Sequence, residues 1–386
     1  MNKQRVLILS ASVGAGHLRA GAALEHAFQE IGEEHEVRHI DTLDYGTAAL
    51  RGVYSKAYSY AARRLPVITG WLYDAFDEPW RHAPLRQAFD RLNTKRFAAL
   101  LRNYKPDVAV CTHFLPAEIL SALADSDTLA IPYSVVVTDF DVHAMWLSRH
   151  CERYFLATHE ARAHLETLGI SGDRVTVTGI PINPVFSAPK DKREIRGKHG
   201  LNTDQITILV SGSRLPIATL EKVVASLATL PREVQVIVIC GRRPEVCNPV
   251  EQMAARLSMG SSVKFKIVGF VNDMDELMSA SDLLVGRPGG LLTAEALASG
   301  LVFVIVNPIP GQEERNADYL LEENAALRCN DLSVLAYKIE RLLSDPSRFE
   351  FMKKNVARIA RPRAAFDVVD TLLRLTNTRG VSAGAS

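Results

Sequence analysis

The apolar run Leu283-Leu284-Val285 stops at Gly286-Arg-Pro-Gly-Gly290 and resumes as Leu-Leu-Thr-Ala-Glu-Ala-Leu-Ala-Ser-Gly300. Gly and Pro break a strand and the Ala- and Leu-rich segment favours helix, so the junction reads as strand, tight turn and helix start. Such a turn aims free backbone N–H groups at whatever lies above it, and the helix dipole behind them suits a phosphate. Gly289 and Gly290 would let the backbone approach an anion without a Cβ in the way. Thr293 could add a hydroxyl to the same anion, and Glu295, one turn into the helix, could accept from both hydroxyls of a ribose. An ordinary βα turn, in which Glu295 merely favours the positive helix end, is the competing possibility.

A second apolar run, Leu301 to Val306, ends in Asn307-Pro-Ile-Pro-Gly311-Gln312-Glu313-Glu314-Arg315-Asn316. Successive βα turns of a parallel sheet bring their loops to the same carboxyl edge, where open α/β sheets bind ligands. The pair Arg-Pro-Gly-Gly-x-x-Thr-x-Glu-Ala and Pro-x-Pro-Gly-Gln-Glu resembles the nucleotide-sugar half of the GT-B glycosyltransferases that make glycosyldiacylglycerols, the monogalactosyldiacylglycerol synthase and diacylglycerol glucosyltransferase family. The resemblance implies a UDP-sugar donor, with Glu295 on the ribose and Gln312 and Glu313 gripping the sugar hydroxyls.

At 386 residues the chain is too long for one typical core and suggests two domains. With 47% hydrophobic and 23% charged residues it is globular, and a net charge of +1 excludes a nucleic-acid-binding polycation. Five cysteines without a CxxC pair indicate neither a disulfide framework nor a zinc site, which fits a reducing cytosol. Met1-Asn-Lys-Gln-Arg leads straight into a strand at Val6–Leu9, and no apolar run is long enough to span a bilayer. Any membrane contact is therefore expected to be peripheral, on the cytoplasmic face.

The first strand runs into Ser10-Ala-Ser-Val-Gly14-Ala-Gly16-His17-Leu-Arg19, a Gly-containing turn into a small-residue helix. Its Gly-x-Gly-His spacing is not a dinucleotide fingerprint, and His17 alone could be a solvated helix-start residue. Ser-x-x-Gly-x-Gly-His is nevertheless similar to the N-terminal signature of the same family, which puts Gly16 and His17 at the cleft. The β-branched runs Asp107–Cys111 and Tyr133–Val137 read as buried parallel strands, each ending in a polar cluster. The second cluster, Thr138-Asp139-Phe140-Asp141-Val-His143-Ala-Met-Trp146, places Asp139 at the carboxyl end of a central strand. Asp139-x-Asp141 with His143 could be a metal ligand set, and Asp139 could simply cap the next segment. The motif Thr-Asp-x-x-x-x-His-x-x-Trp resembles the family's own, and the resemblance implies Asp139 as the base, His143 and Trp146 on the acceptor side, and no metal.

Thr178-Gly179-Ile-Pro181 and the charged run Lys190–Lys198 read as an interdomain linker, the charged run as a solvated helix. A second series of strands follows at 206–210, 234–240, 263–267, 283–285 and 302–306. Ser211-Gly212-Ser213-Arg214 stands where the family carries a longer Gly-rich loop against the diphosphate, and Arg287 replaces a commoner Lys. Val271 lies where related enzymes read the base through main-chain groups. Two Rossmann-like doubly wound domains facing across a GT-B cleft are thus expected: residues 1–185 for the acceptor and membrane, 186–363 for the UDP-sugar, a returning helix 364–376 and a frayed tail 377–386.

The expected activity is an inverting transfer of galactose or glucose from a UDP-sugar to diacylglycerol, with the UDP-sugar as co-substrate and no separate cofactor. His17 would hold the acceptor or Asp139 in position. A UDP-sugar 2-epimerase or a small-molecule glycosyltransferase on the same fold is the alternative. Residues 51–105 carry eleven Lys and Arg against four Asp and Glu, together with ten aromatics. That mixture suits an anionic lipid headgroup region, with Arg63, Arg64, Trp71 and Trp80 at the membrane, unless it is an aromatic helical subdomain packed on the first domain.

Overall fold

The computed structural model describes residues 3–32, 34–47, 77, 95–126 and 129–383. The first unit is built from β1 (Gln4–Ser10), α1 (Ala15–Ile31), β2 (His35–Asp41), α2 (Lys95–Tyr104), β3 (Val108–Cys111), α3 (Phe114–Asp125), β4 (Tyr133–Val136), β5 (Arg153–Leu156), α4 (His159–Thr167) and β6 (Val175–Val177). Its strands are parallel in the order β2-β1-β3-β4-β5-β6. The order reverses between β1 and β3, so the crevice for a ligand opens where the loops after those two strands part.

The second unit follows α5 (Lys192–Lys198) with β7 (Ile206–Ser211), α6 (Ile217–Leu227), β8 (Val234–Ile239), α7 (Pro244–Ser258), β9 (Val263–Val268), α8 (Met274–Ala280), β10 (Leu283–Gly286), α9 (Gly290–Ala298), β11 (Val302–Val306), α10 (Gln312–Glu322), β12 (Ala326–Cys329), α11 (Leu335–Leu343) and α12 (Pro346–Ile359). Its parallel order, β12-β11-β10-β7-β8-β9, switches between β7 and β10. The runs Val234–Ile239 and Val302–Val306 are buried at every position because helices cover both faces of the sheet. Each such Val or Ile contributes about 1.5–3 kcal/mol on burial.

A last helix, α13 (Ala364–Ala383), returns to the first unit and sets Ala365, Val368, Val369 and Leu372 against Val6, Ile8, Leu24, Phe28 and Val108. It runs on past 376, through much of the tail read as frayed. The charged run does form a helix, but not a solvated one throughout. Arg196 is buried, donating to Ala280 O at 2.8 Å, Thr203 O at 2.7 Å and Asp282 Oδ2 at 2.8 Å. Asp282 Oδ2 also accepts from Thr207 N at 2.8 Å, which ties α5 to the start of β7. Arg63, Arg64, Trp71 and Trp80 lie outside the described residues.

Candidate active site between the two sheets

The loops after β7 and β10 part at the switch point of the second sheet, and Gly289 caps α9 with its backbone alone. No side chain closes that helix end, so the first-turn N–H groups stay available to an anion. Three buried polar atoms around it have no hydrogen-bond partner: Thr293 Oγ1, Glu295 Oε2 and Arg287 Nη2. Buried polar atoms are rarely left so, and here they surround one helix terminus. Arg287 is otherwise engaged, through Nε on Glu313 Oε2 at 2.9 Å and Nη1 on Arg214 O at 3.1 Å. Glu313 Oε2 also accepts from Ile309 N at 2.8 Å, so one of its oxygens shapes the loop and only Oε1 remains for a ligand.

Arg214 is exposed, with Nη1 3.8 Å from where a Cβ on Gly289 would stand. Ser211 and Gly212 form the floor; a Cβ at Gly212 would meet Leu220 at 2.8 Å and Ile239 O at 2.9 Å, so glycine is required there by packing. The loop is stapled from below by Arg243, which donates to Gly212 O at 2.8 Å and Leu215 O at 3.1 Å. Val271 is half-buried just beyond β9, next to an exposed Phe270 whose ring lies 4.0 Å under the Arg242 guanidinium.

Across the cleft, His17 sits in the first turn of α1, and Gly16 beside it faces open space. Its Nδ1 lies 3.1 Å from Thr112 O and 2.9 Å from Thr138 Oγ1. A carbonyl can only accept, so Nδ1 carries the proton and Nε2 is the bare nitrogen. Burial holds the ring's pKa down to about 4; the Thr112 carbonyl opposes this and the Arg214 charge adds to it. Behind His17 stand His113, edge-on at 4.5 Å, and Trp146 at 6.2 Å. Trp146 and His143 are buried, so they belong to the wall behind the cleft and not to a membrane-facing surface.

Asp139 is buried beside Thr138, and its Oδ1 accepts from Gln312 Nε2 at 2.5 Å. Burial raises its pKa to about 6, against the pull of Gln312 and Asn316 and with a small push from Asp141 and Glu313. The segment around it closes the cleft. Phe140 N donates to Asn316 Oδ1 at 2.9 Å, Phe140 stacks on Tyr319 at 5.1 Å, and Arg315 Nη1 donates to Asp141 Oδ2 at 2.8 Å. A Cβ at Gly290 would lie 2.0 Å from Thr138 O, so Gly290 serves the close approach of the two domains as well as any phosphate. Asp139, Asp141 and His143 do not converge as metal ligands: the first faces Gln312, the second Arg315, and His143 Nδ1 accepts from Met145 N at 3.1 Å.

Of the residues read from the sequence, Asp139 and His17 stand on one side of the cleft and Gly289, Gly290, Thr293 and Glu295 on the other. Sequence reasoning missed Thr138, Asn316 and Arg19, the last reaching from α1 to Glu295 Oε1. Asn316 was legible as the residue four after Gln312, on the same helix face. Arg19 carried no signal short of the fold.

Residues 17–182 match the monogalactosyldiacylglycerol (MGDG) synthase family and residues 191–359 the glycosyl transferases group 1 family. The chain is 28% identical over 374 residues to a processive diacylglycerol beta-glucosyltransferase of Bacillus cytotoxicus, covering 96% of this chain and 93% of the relative. Among solved structures it is similar to MurG of Acinetobacter baumannii, at a TM-score of 0.59 and 15% identity over 96% of this chain and 99% of that one. It is also similar to a UDP-GlcNAc 2-epimerase of Neisseria meningitidis, at 0.61 and 14% over 96% and 100%. At such identities these two structures speak for the GT-B fold alone. The chain thus carries an MGDG synthase match followed by a glycosyl transferases group 1 match, the order expected from its resemblance to the glycosyldiacylglycerol-forming enzymes, and its relatives over nearly its whole length are named processive diacylglycerol beta-glucosyltransferases.

Proposed function

We propose that this protein transfers glucose from UDP-glucose to the free hydroxyl of diacylglycerol at a membrane surface. The observation that carries this is the uncapped N-terminus of α9, ringed by the unpartnered Thr293 Oγ1, Glu295 Oε2 and Arg287 Nη2, facing His17 and Asp139 across a closed cleft. Glucose over galactose is supported by relatives named diacylglycerol beta-glucosyltransferases. The donor's sugar is α-linked, so a β product requires inversion, which one in-line displacement with one base accomplishes.

Asp139 takes the hydroxyl proton as the oxygen attacks the anomeric carbon, its pKa near 6 leaving it ionised at neutral pH. The leaving diphosphate is held by the α9 N–H groups, Thr293, Arg287 and Arg214, and no metal is needed to carry its charge. Gln312, which donates to Asp139, turns to the sugar hydroxyls with Glu313 Oε1. A second assignment has its own observation: His17 Nε2 is a bare proton acceptor, its ring fixed through Nδ1 by Thr112 O and Thr138 Oγ1, which makes it the alternative base.

Among the described residues no helix is long and apolar enough to cross a membrane, and we place the enzyme peripherally on the cytoplasmic face, drawn to anionic lipid by Arg63, Arg64, Trp71 and Trp80. Incubation with labelled UDP-glucose or UDP-galactose and diacylglycerol liposomes tests the proposal, with glucosyldiacylglycerol as the expected product. Epimerised UDP-sugar in place of glycolipid would overturn it. Replacing the four membrane residues together should abolish sedimentation with anionic liposomes while leaving UDP binding unchanged.

A further inference from the structure

Arg19 stands on the acceptor-side helix α1, yet its guanidinium donates across the cleft to Oε1 of Glu295 on the donor-side helix α9. The pair is asymmetric. Glu295 is 1% exposed, whereas the Arg19 side chain is 49% exposed. Oε2 of Glu295 has no partner, so the arginine satisfies one carboxylate oxygen and leaves the other facing the site. Thr293 Oγ1, two residues earlier on the same helix, is also buried without a partner.

We propose that Arg19 is a positioning residue of the opposite domain that keeps Glu295 an anion aimed at the ribose, so that nucleotide recognition depends on the two domains being closed. The inference rests on Glu295 as the ribose acceptor. Burial alone pushes the Glu295 carboxyl up; Arg19 opposes this by charge and hydrogen bond, and the net value is about 7. The other group acting on it is Asp275 of α8, which raises the value further and is itself paired with Lys190 at 3.2 Å. Arg19 is therefore the cation that holds Glu295 ionised near neutrality. A carboxylate accepts from both the 2′- and 3′-hydroxyls, whereas a protonated carboxyl gives up acceptor capacity on one oxygen. Since the binding form is the ionised one, UDP affinity should rise with pH through about 7 in the native protein and level off above it.

Calorimetric titration of the full chain with UDP and with 2′-deoxy-UDP between pH 6 and 9 tests this. Arg19→Ala should weaken UDP at pH 7 by about ten-fold, move the rise in affinity to higher pH, and shrink the gap between UDP and 2′-deoxy-UDP. Arg19→Lys, which restores a charge, should recover part of the affinity and of the pH profile. If Glu295→Gln weakens UDP while Arg19→Ala changes neither affinity nor pH profile, the positioning role is wrong and the ribose assignment stands. Unchanged UDP affinity in Glu295→Gln removes the ribose assignment and the inference with it. Tighter UDP binding by Arg19→Ala would mean that Arg19 competes with the ribose, and would also overturn the proposal.

Discussion

The two switch points differ in how their polar groups are satisfied. Around β7 and β10, Thr293 Oγ1, Glu295 Oε2 and Arg287 Nη2 are buried without partners and α9 has no side-chain cap. Around β1 and β3, Ser10 Oγ lies 2.7 Å from Thr112 Oγ1, Thr112 Oγ1 donates to His17 O at 3.0 Å, and His17 Nδ1 is held from two sides. The donor side thus stores a pattern awaiting a ligand with many fixed hydrogen-bonding groups. The acceptor side is closed on itself and offers a proton acceptor, which is all that a lipid alcohol asks of it.

Asp139→Asn should break that division most severely. Asn keeps an oxygen for Gln312 but cannot take a proton, so kcat should fall by about two orders of magnitude or more while UDP affinity stays near normal. EDTA should have no effect, and activity lost in EDTA and restored by manganese would reopen Asp139 and Asp141 as ligands. In the native enzyme kcat/KM should drop as pH falls through about 6, the value to which burial lifts Asp139, because the base works only when ionised. A limb near 4 would instead identify His17.

Glu295→Ala should come next, weakening UDP by about one to two orders of magnitude through the loss of charge-assisted hydrogen bonds of roughly 1.5–3 kcal/mol. Calorimetry on the folded variant checks it. Gly290→Ala separates closure from binding. Its Cβ would meet Thr138 O at 2.0 Å, so the domains must part. Transfer should fall by about ten-fold while UDP affinity changes by less than about three-fold, since a 1 Å misplacement is costly only to the reacting geometry. Equal loss of both would mean that Gly290 serves the phosphate more than the domain contact.

What was legible divides along physical lines. Strands buried on both faces, such as Val302–Val306, announce themselves as apolar runs bounded by Gly and Pro. The edge strand Ala326–Cys329 does not, because half of its residues are only partly buried and Ala-Leu-Arg-Cys has no β-branched residue. His17, Asp139, Thr293 and Glu295 were legible because each lies in the loop or the first helical turns after a strand, and that position in a βα unit carries a residue toward the cleft. Arg19 was not, since its reach to Glu295 depends on how one domain lies against the other. The same limit applies to Arg196, whose burial under Asp282 turns a charged run into part of the domain's frame.

The smallest effect should come from Arg214, the exposed cation whose charge reaches both sides of the cleft. It lies beside Gly289 on the donor side and helps to hold down the pKa of His17 on the other. Exposed ion pairs contribute about 0.2–1 kcal/mol, so Arg214→Gln should weaken UDP-glucose by only about two- to five-fold, with the difference shrinking as salt is raised. The second readout is independent of the ligand. With the positive charge gone, the imidazolium of His17 is less disfavoured and its titration midpoint should move up from about 4, followed by its ring resonances in the free protein. A shifted midpoint with unchanged donor affinity would assign Arg214 to the acceptor side. Both readouts moving together would make it the charge that couples the two halves.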